Sequence, residues 1–191
     1  MPDKLFKVHK KEYIQPGNRA CSGCGLSLAY RYILKALGEN TILTLPASCL
    51  TVLHGLYPIT PVGVPCLNCT FASTAASATG LVAGLSAMNR SDITVAAIAG
   101  DGGTFDIGIQ ALSGAAERGT DFIYVCYDNE GYMNTGTQRS SATPAGALTT
   151  TTPVLTKQQG KKDMMKIMEG HDIPYLATCS PSFPIDLYDK F

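Results

Sequence analysis

Apolar residues change their spacing several times along this chain, and each change marks an element. From Leu26 to Leu37 they recur with a helical period and stop at Gly38, which predicts a helix there. "TILTL", closed by Pro46, is a short apolar run of strand length, and the three prolines of "YPITPVGVP" then predict a loop. The run Thr70 to Met88 is built of Ala, Ser, Thr and Gly and reads as a closely packed helix. Ile93 to Gly100 is apolar on both faces, as a buried parallel strand should be. Phe105, Ile109, Leu112 and Ala116 mark one face of a helix beginning near Phe105 and ending at Gly119, and "DFIYVCYD" supplies a second buried strand. Strand, helix and strand joined by short turns form a right-handed βαβ unit, so the class is α/β with a parallel sheet.

From Gly131 to Gly160 the pattern dissolves into Thr, Ser and Gly, a loop long enough to serve a site or a partner. A short helix within Lys161–Gly170, a strand at "PYLATC" and the opening turn of a helix at "PIDLYDKF" follow. The chain has 191 residues, which fits one domain, with no repeat or linker to divide it.

Charge narrows the classes of partner. The formal net charge is zero and only 16% of residues are charged, so no basic footprint for nucleic acid is present. From Thr41 to Asn89 there is no Asp, Glu, Lys or Arg. The small-residue helix is long enough for a bilayer but lacks the bulk of a lipid-facing span, so no membrane partner is expected. A core helix that also lies at a subunit interface accounts for it, with Gly80 and Gly84 admitting close backbone approach. Residues 1–20 read as a basic, polar arm without the apolar centre of a signal peptide, and the seven cysteines are an odd number. Both point to a reducing, cytoplasmic setting in which cysteine pairs serve metal or redox chemistry.

Two turns carry the candidate chemistry. Asp101 follows the first strand of the βαβ unit and Asn129 the second, and parallel strands end side by side at the sheet edge where α/β folds place ligands. A carboxylate and an amide oxygen converging there suit a hard divalent cation such as Mg2+. Gly100, Gly102 and Gly103 let backbone approach a diphosphate, and the helix expected to begin near Phe105 directs N–H groups to the same spot. A Rossmann dinucleotide site is disfavoured, because G-x-G-x-x-G is absent. Cys21 and Cys24 in "ACSGCG", with Cys49 in "ASCL", fit an iron–sulfur cluster, zinc or a dithiol, and Cys66 with Cys69 adds a second pair through which a zinc-stapled, non-catalytic interaction module remains an alternative. Cys126, inside a strand, reads as packing, and His54 and His171 read as structural.

Gly-Asp-Gly followed, one helix and one strand later, by Asn resembles the thiamine diphosphate motif. The fuller wording "GDGGTFDIGIQALSGAAERGTDFIYVCYDNEGYMNTGTQRSSATP" is similar to the beta subunits of the 2-oxoacid:ferredoxin oxidoreductases, the pyruvate enzymes above all, from about Arg19 to the end. The resemblance implies the parallel-sheet, diphosphate-binding module of thiamine enzymes across 1–191, with an N-terminal cluster-binding segment at about 1–50 and the C-terminal part of the family domain absent. It implies thiamine diphosphate and Mg2+ held by Asp101, Asn129 and the Gly131 carbonyl. Gly100, Gly102, Gly103, Glu130, Tyr132, Asn134 and Cys49 would lie around the cofactor, with Asn134 reaching the reacting centre.

It further implies a 4Fe-4S cluster on Cys21, Cys24 and Cys49, with a fourth ligand beyond Phe191 or, less well placed, Cys179. The expected reaction is oxidative decarboxylation of a 2-oxoacid, pyruvate first, to acyl-CoA and CO2 with electrons passed to ferredoxin, or the reverse; another 2-oxoacid or oxalate is the alternative substrate. Expected partners are alpha, gamma and delta-type subunits, ferredoxin and coenzyme A, and the cofactor-activating glutamate would come from a partner chain. The sequence departs from the pyruvate pattern at Leu26, where an acidic residue is frequent.

Overall fold

The computed structural model describes residues 8–191. The first seven positions of the expected N-terminal arm and cluster-binding segment lie outside them. Helix α1 (Gly25–Leu37) leads to β1 (Thr41–Pro46), then α2 (Cys49–His54), β2 (Cys66–Cys69), α3 (Thr74–Ala87), β3 (Thr94–Gly100), a π-helical turn (Gly102–Asp106), α4 (Ile109–Glu117), β4 (Ile123–Tyr127), α5 (Met164–Glu169) and α6 (Pro184–Asp189). The strands form one sheet in the order β2-β1-β3-β4, with every pair parallel. The α/β reading therefore holds.

Strand alternation divides the core between two helical layers. Ala96 and Ile98 of β3 face one side, where Leu43 and Leu45 of β1 meet Tyr30, Ile33 and Leu34 of α1 and Leu187 of α6. Val95 and Ala97 face the other, against Ala78 of α3. Phe105, Leu112, Ala115, Met164 and Met168 extend that second layer. Burying a side chain of this size contributes about 1.5–3 kcal/mol, so the two layers clamp β3 and fix where its C-terminal end emerges.

Two expectations need correction, and one strand goes beyond them. No strand forms at "PYLATC": a ladder needs a partner strand, and this stretch instead bonds to the C-terminal helix, Tyr175 Oη donating to Lys190 O at 3.2 Å and Lys190 Nζ to Thr178 O at 2.7 Å. A strand not expected from the sequence, β2, lies in register with Leu43–Pro46. The helix after β3 does not begin near Phe105: residues 102–106 wind as a widened π turn and α4 starts at Ile109. Gly108 makes that turn possible, because a Cβ there would lie 1.9 Å from the Gly103 carbonyl oxygen. The phase shifts accordingly, and Ala115 rather than Ala116 is fully buried beside Leu112.

The small-residue helix is present as α3, with only Thr74, Ala75 and Ala78 buried. Gly80 and Gly84 meet nothing within 4 Å of where a side chain would begin. Among the described residues no helix is long and apolar enough to cross a membrane.

Candidate functional site

β3 and β4 are neighbours with Gly100 opposite Tyr127, so the turns that follow them emerge together. Asp101 is fully buried there. Burial pushes its carboxyl upward from the usual range, Ser140 pulls it down and the charge of Asp128 pushes it up again. Ser140 Oγ donates to Asp101 Oδ2, which leaves Oδ1 facing the second turn. The inward end of the Asn129 amide lies 2.8 Å from Asp101 Oδ1 and 3.0 Å from the Gly131 carbonyl oxygen. With nitrogen inward, the amide donates to both; with oxygen inward, three oxygens converge on one point. Adjacent ligands of an octahedral Mg2+ are about 2.9 Å apart when metal–oxygen bonds are 2.0–2.1 Å, so the spacing and the oxygen-only donor set fit that ion.

A hollow of about 50 Å³ opens beside these groups, lined by Gly100–Gly103, Asn129, Gly131, Tyr132 and Asn134 together with Cys49 and Phe71. Ligand pockets that enclose a whole small molecule run to about 300–1,000 Å³, well above this hollow. Gly102 is bare for a reason: a Cβ would sit 2.6 Å from the Tyr132 ring, which packs 5.9 Å from Phe71. Tyr132 Oη donates to Asp106 Oδ2 at 2.9 Å. The residues expected around the diphosphate thus gather at one place, Glu130 excepted. The exposed Glu130 turns its side chain away to Lys161, 3.3 Å off, and lines no part of the hollow. The α-helix expected to begin near Phe105 starts four residues later, at Ile109.

Residues that sequence reasoning missed hold the arrangement. Ser141 donates its backbone N–H to Asp106 at 3.2 Å, and Thr143 Oγ1 donates to the Glu130 carbonyl at 2.6 Å. Lys161 Nζ lies 2.5 Å from Oδ2 of Asp128, the acid whose charge acts on Asp101. Their only sequence signal is the hydroxyl-rich "RSSATP", and nothing in its spacing points back to Asp101.

The cysteines divide. Cys21 and Cys24 bracket a tight turn in which Cys24 N–H donates to Cys21 O at 3.1 Å and Gly23 takes φ 71°, which keeps the two Cα atoms close. Cys49 lies near enough that Cys24 and Cys21, after burial, push its thiol upward. No three His, Cys, Asp or Glu side chains among the described residues close on a single ion.

Cys21 and Cys24 also border a hollow of about 600 Å³ beneath the arm, where Glu12 is held down to about 2 chiefly by Arg31. Leu26 packs into the apolar core. Exposed Cys179 has Lys190 and Asp186 as its electrostatic neighbours rather than the three thiols. Burial pushes the Cys126 thiol up to about 12, in keeping with a packing role.

Residues 47–190 match the family model described as the thiamine pyrophosphate enzyme, C-terminal TPP binding domain. The chain is 48% identical to the pyruvate synthase subunit PorB of Methanothermobacter thermautotrophicus, over 97% of this chain and 66% of that protein. It is likewise 48% identical to the ketoisovalerate oxidoreductase subunit VorB of Pyrococcus horikoshii, over 98% of this chain and 63% of the relative. The fold is similar to that of a 2-oxoglutarate:ferredoxin oxidoreductase from Magnetococcus marinus solved with 2-oxoglutarate, coenzyme A and succinyl-CoA bound. That likeness has a TM-score of 0.80 and 22% identity, and covers 96% of this chain and 62% of the other. The chain thus spans about two thirds of the length of these relatives.

Proposed function

Because this chain belongs to the thiamine pyrophosphate enzymes, matching their C-terminal TPP-binding domain, we propose that it is the catalytic beta subunit of a 2-oxoacid:ferredoxin oxidoreductase. The reaction is conversion of a 2-oxoacid, pyruvate first, with coenzyme A and oxidised ferredoxin to acyl-CoA, CO2 and reduced ferredoxin, or the reverse. The observation that carries this reading is the Asn129 amide lying 2.8 Å from Asp101 Oδ1 and 3.0 Å from the Gly131 carbonyl oxygen.

Asp101, Asn129 and Gly131 would hold Mg2+, and the side-chain-free Gly100, Gly102 and Gly103 would let the diphosphate lie against backbone. Burial of Asp101 keeps water from competing for its carboxylate. Asn134, exposed on the rim, would position the 2-oxoacid, while Phe71 and Tyr132 wall the hollow against solvent. Cys21, Cys24 and Cys49 would ligate a 4Fe-4S cluster, Cys49 serving as the wall shared with the cofactor hollow. When bound, thiamine diphosphate supplies the electron sink for decarboxylation, Mg2+ neutralises the diphosphate and the cluster accepts electrons one at a time.

The small volume of the hollow supports a second chain that completes the site and brings the cofactor-activating glutamate. Alpha, gamma and delta-type subunits in a cytoplasmic complex are the proposed assembly. The relatives named for pyruvate and ketoisovalerate support 2-oxoacids as the substrate class, and steady-state rates across pyruvate, branched, aromatic and dicarboxylic 2-oxoacids and oxalate identify the member.

Binding of thiamine diphosphate to the assembled complex tests the reading. Mg2+ removal by chelator and Asp101→Ala should each abolish retention of the cofactor while leaving cluster iron in place. Retention by Asp101→Ala equal to wild type would refute the cation site.

A further inference from the structure

The loop between Gly131 and Gly160 contains a buried charge that the proposed chemistry does not use. Lys157 is 2% exposed although it sits in a segment whose neighbours Val154 and Leu155 stand open to solvent. Its ammonium has three N–H donors and meets three backbone carbonyls: Ser141 O at 3.0 Å, Gly160 O at 3.3 Å and Thr143 O in a still shorter contact. Three carbonyls directed at one point repel one another, and a three-donor cation is the group that reconciles them. The backbone at Lys157 is itself fixed, with Gly146 N–H donating to Lys157 O at 2.8 Å and Lys157 N–H to Ala147 O at 3.0 Å. The loop therefore runs outward from Pro144 and returns so that its lysine closes underneath the Ser140–Thr143 turn.

That turn spans three site elements. Ser140 Oγ donates to Asp101 Oδ2, Ser141 binds Asp106 of the π turn, and Thr143 Oγ1 binds both the Glu130 carbonyl and, at 2.9 Å, Ser140 N–H. Ser140 thereby decides which carboxylate oxygen of Asp101 is occupied and which is left for a cation. We propose that Lys157 is a positioning residue for the cation site, locking the Ser140–Thr143 turn so that Asp101 presents Oδ1 toward Asn129 and Gly131. This rests on the reading of those three residues as the Mg2+ ligands.

The test is the Mg2+ concentration that half-saturates thiamine diphosphate binding in the assembled complex, for wild type, Lys157→Met, Ser140→Ala and the double variant. Groups that orient metal ligands change affinity by roughly ten- to a hundredfold when removed, and Lys157→Met should raise the Mg2+ requirement by that factor. Because Lys157 acts through Ser140, the double variant should be no worse than the weaker-binding single variant. An unchanged Mg2+ requirement in Lys157→Met overturns the proposal, and so do effects of the two substitutions that multiply. Wild type that binds no thiamine diphosphate with Mg2+ sinks the underlying reading as well, and is thereby told apart from failure of Lys157 alone.

Should Lys157→Met not assemble, hydrogen exchange in the wild-type complex decides. Mg2+ and thiamine diphosphate together must slow exchange at Ser141–Thr143 and Ala147 in step with 129–134. Protection confined to 129–134 overturns the role.

Discussion

Two cysteine pairs with identical spacing meet opposite fates in this fold. Cys21 and Cys24 stand at the two ends of a tight turn and can share one centre with Cys49. Cys66 and Cys69 lie on strand β2, where residues three apart point to opposite faces. Cys66 Sγ accordingly meets His54 Nδ1 at 3.6 Å, while Cys69 Sγ donates to Leu45 O at 3.2 Å and Thr74 Oγ1 at 3.8 Å. Spacing alone therefore does not make a chelate; the backbone that carries it does. The zinc-stapled alternative, which needs the second pair to act together, finds no support in this geometry.

The comparison can be broken most decisively at the first pair. Cys21→Ser is expected to remove most of the cluster iron and acid-labile sulfide from the complex while Mg2+-dependent cofactor binding persists. Loss of both centres together would show that turn and diphosphate site are not separable. At the second pair, Cys66→Ser should leave iron and sulfide unchanged by elemental analysis, and a drop in either would place β2 in the cluster after all.

A finer probe is the partner of Cys66. Burial holds His54 down to about 4, so the folded protein keeps it neutral while the unfolded chain takes up a proton below about 6.5. Stability from this group is present above the unfolded value and falls as pH drops from there toward 4, by about 1.4 kcal/mol per unit at most. His54→Gln should flatten that part of the denaturation-midpoint profile, and an unchanged acid slope would show that His54 titrates normally. Smallest of all, Cys69→Ala removes weak sulfur contacts and should shift the unfolding free energy by about 1 kcal/mol or less.

Most of the fold was legible because its strands are central. β1 and β3 are buried on both faces, and a continuous apolar run is the direct consequence. β2 escaped notice because an edge strand with one neighbour needs no such run, and "CLNC" is exposed over most of its length. "PYLATC" misled in the reverse direction, being apolar enough for a strand yet meeting none to pair with. At the site, Asp101 and Asn129 could be placed from strand ends alone, and Gly131 only through the resemblance. Ser140, Thr143 and Lys157 could not, since a loop's return path is set by contacts between distant segments rather than by any period in the chain.

The widened winding at Gly102–Asp106 ties two properties that are usually independent. One surplus residue there sets the roll of α4, and an ordinary helix advances about 100° per residue. A one-residue deletion restoring regular coiling would swing Leu112 and Ala115 off the sheet at the same moment that it displaced Asp106 from Tyr132 and Ser141. Packing of the interior and shape of the mouth thus share a single adjustment, and neither can drift through insertion or loss without the other.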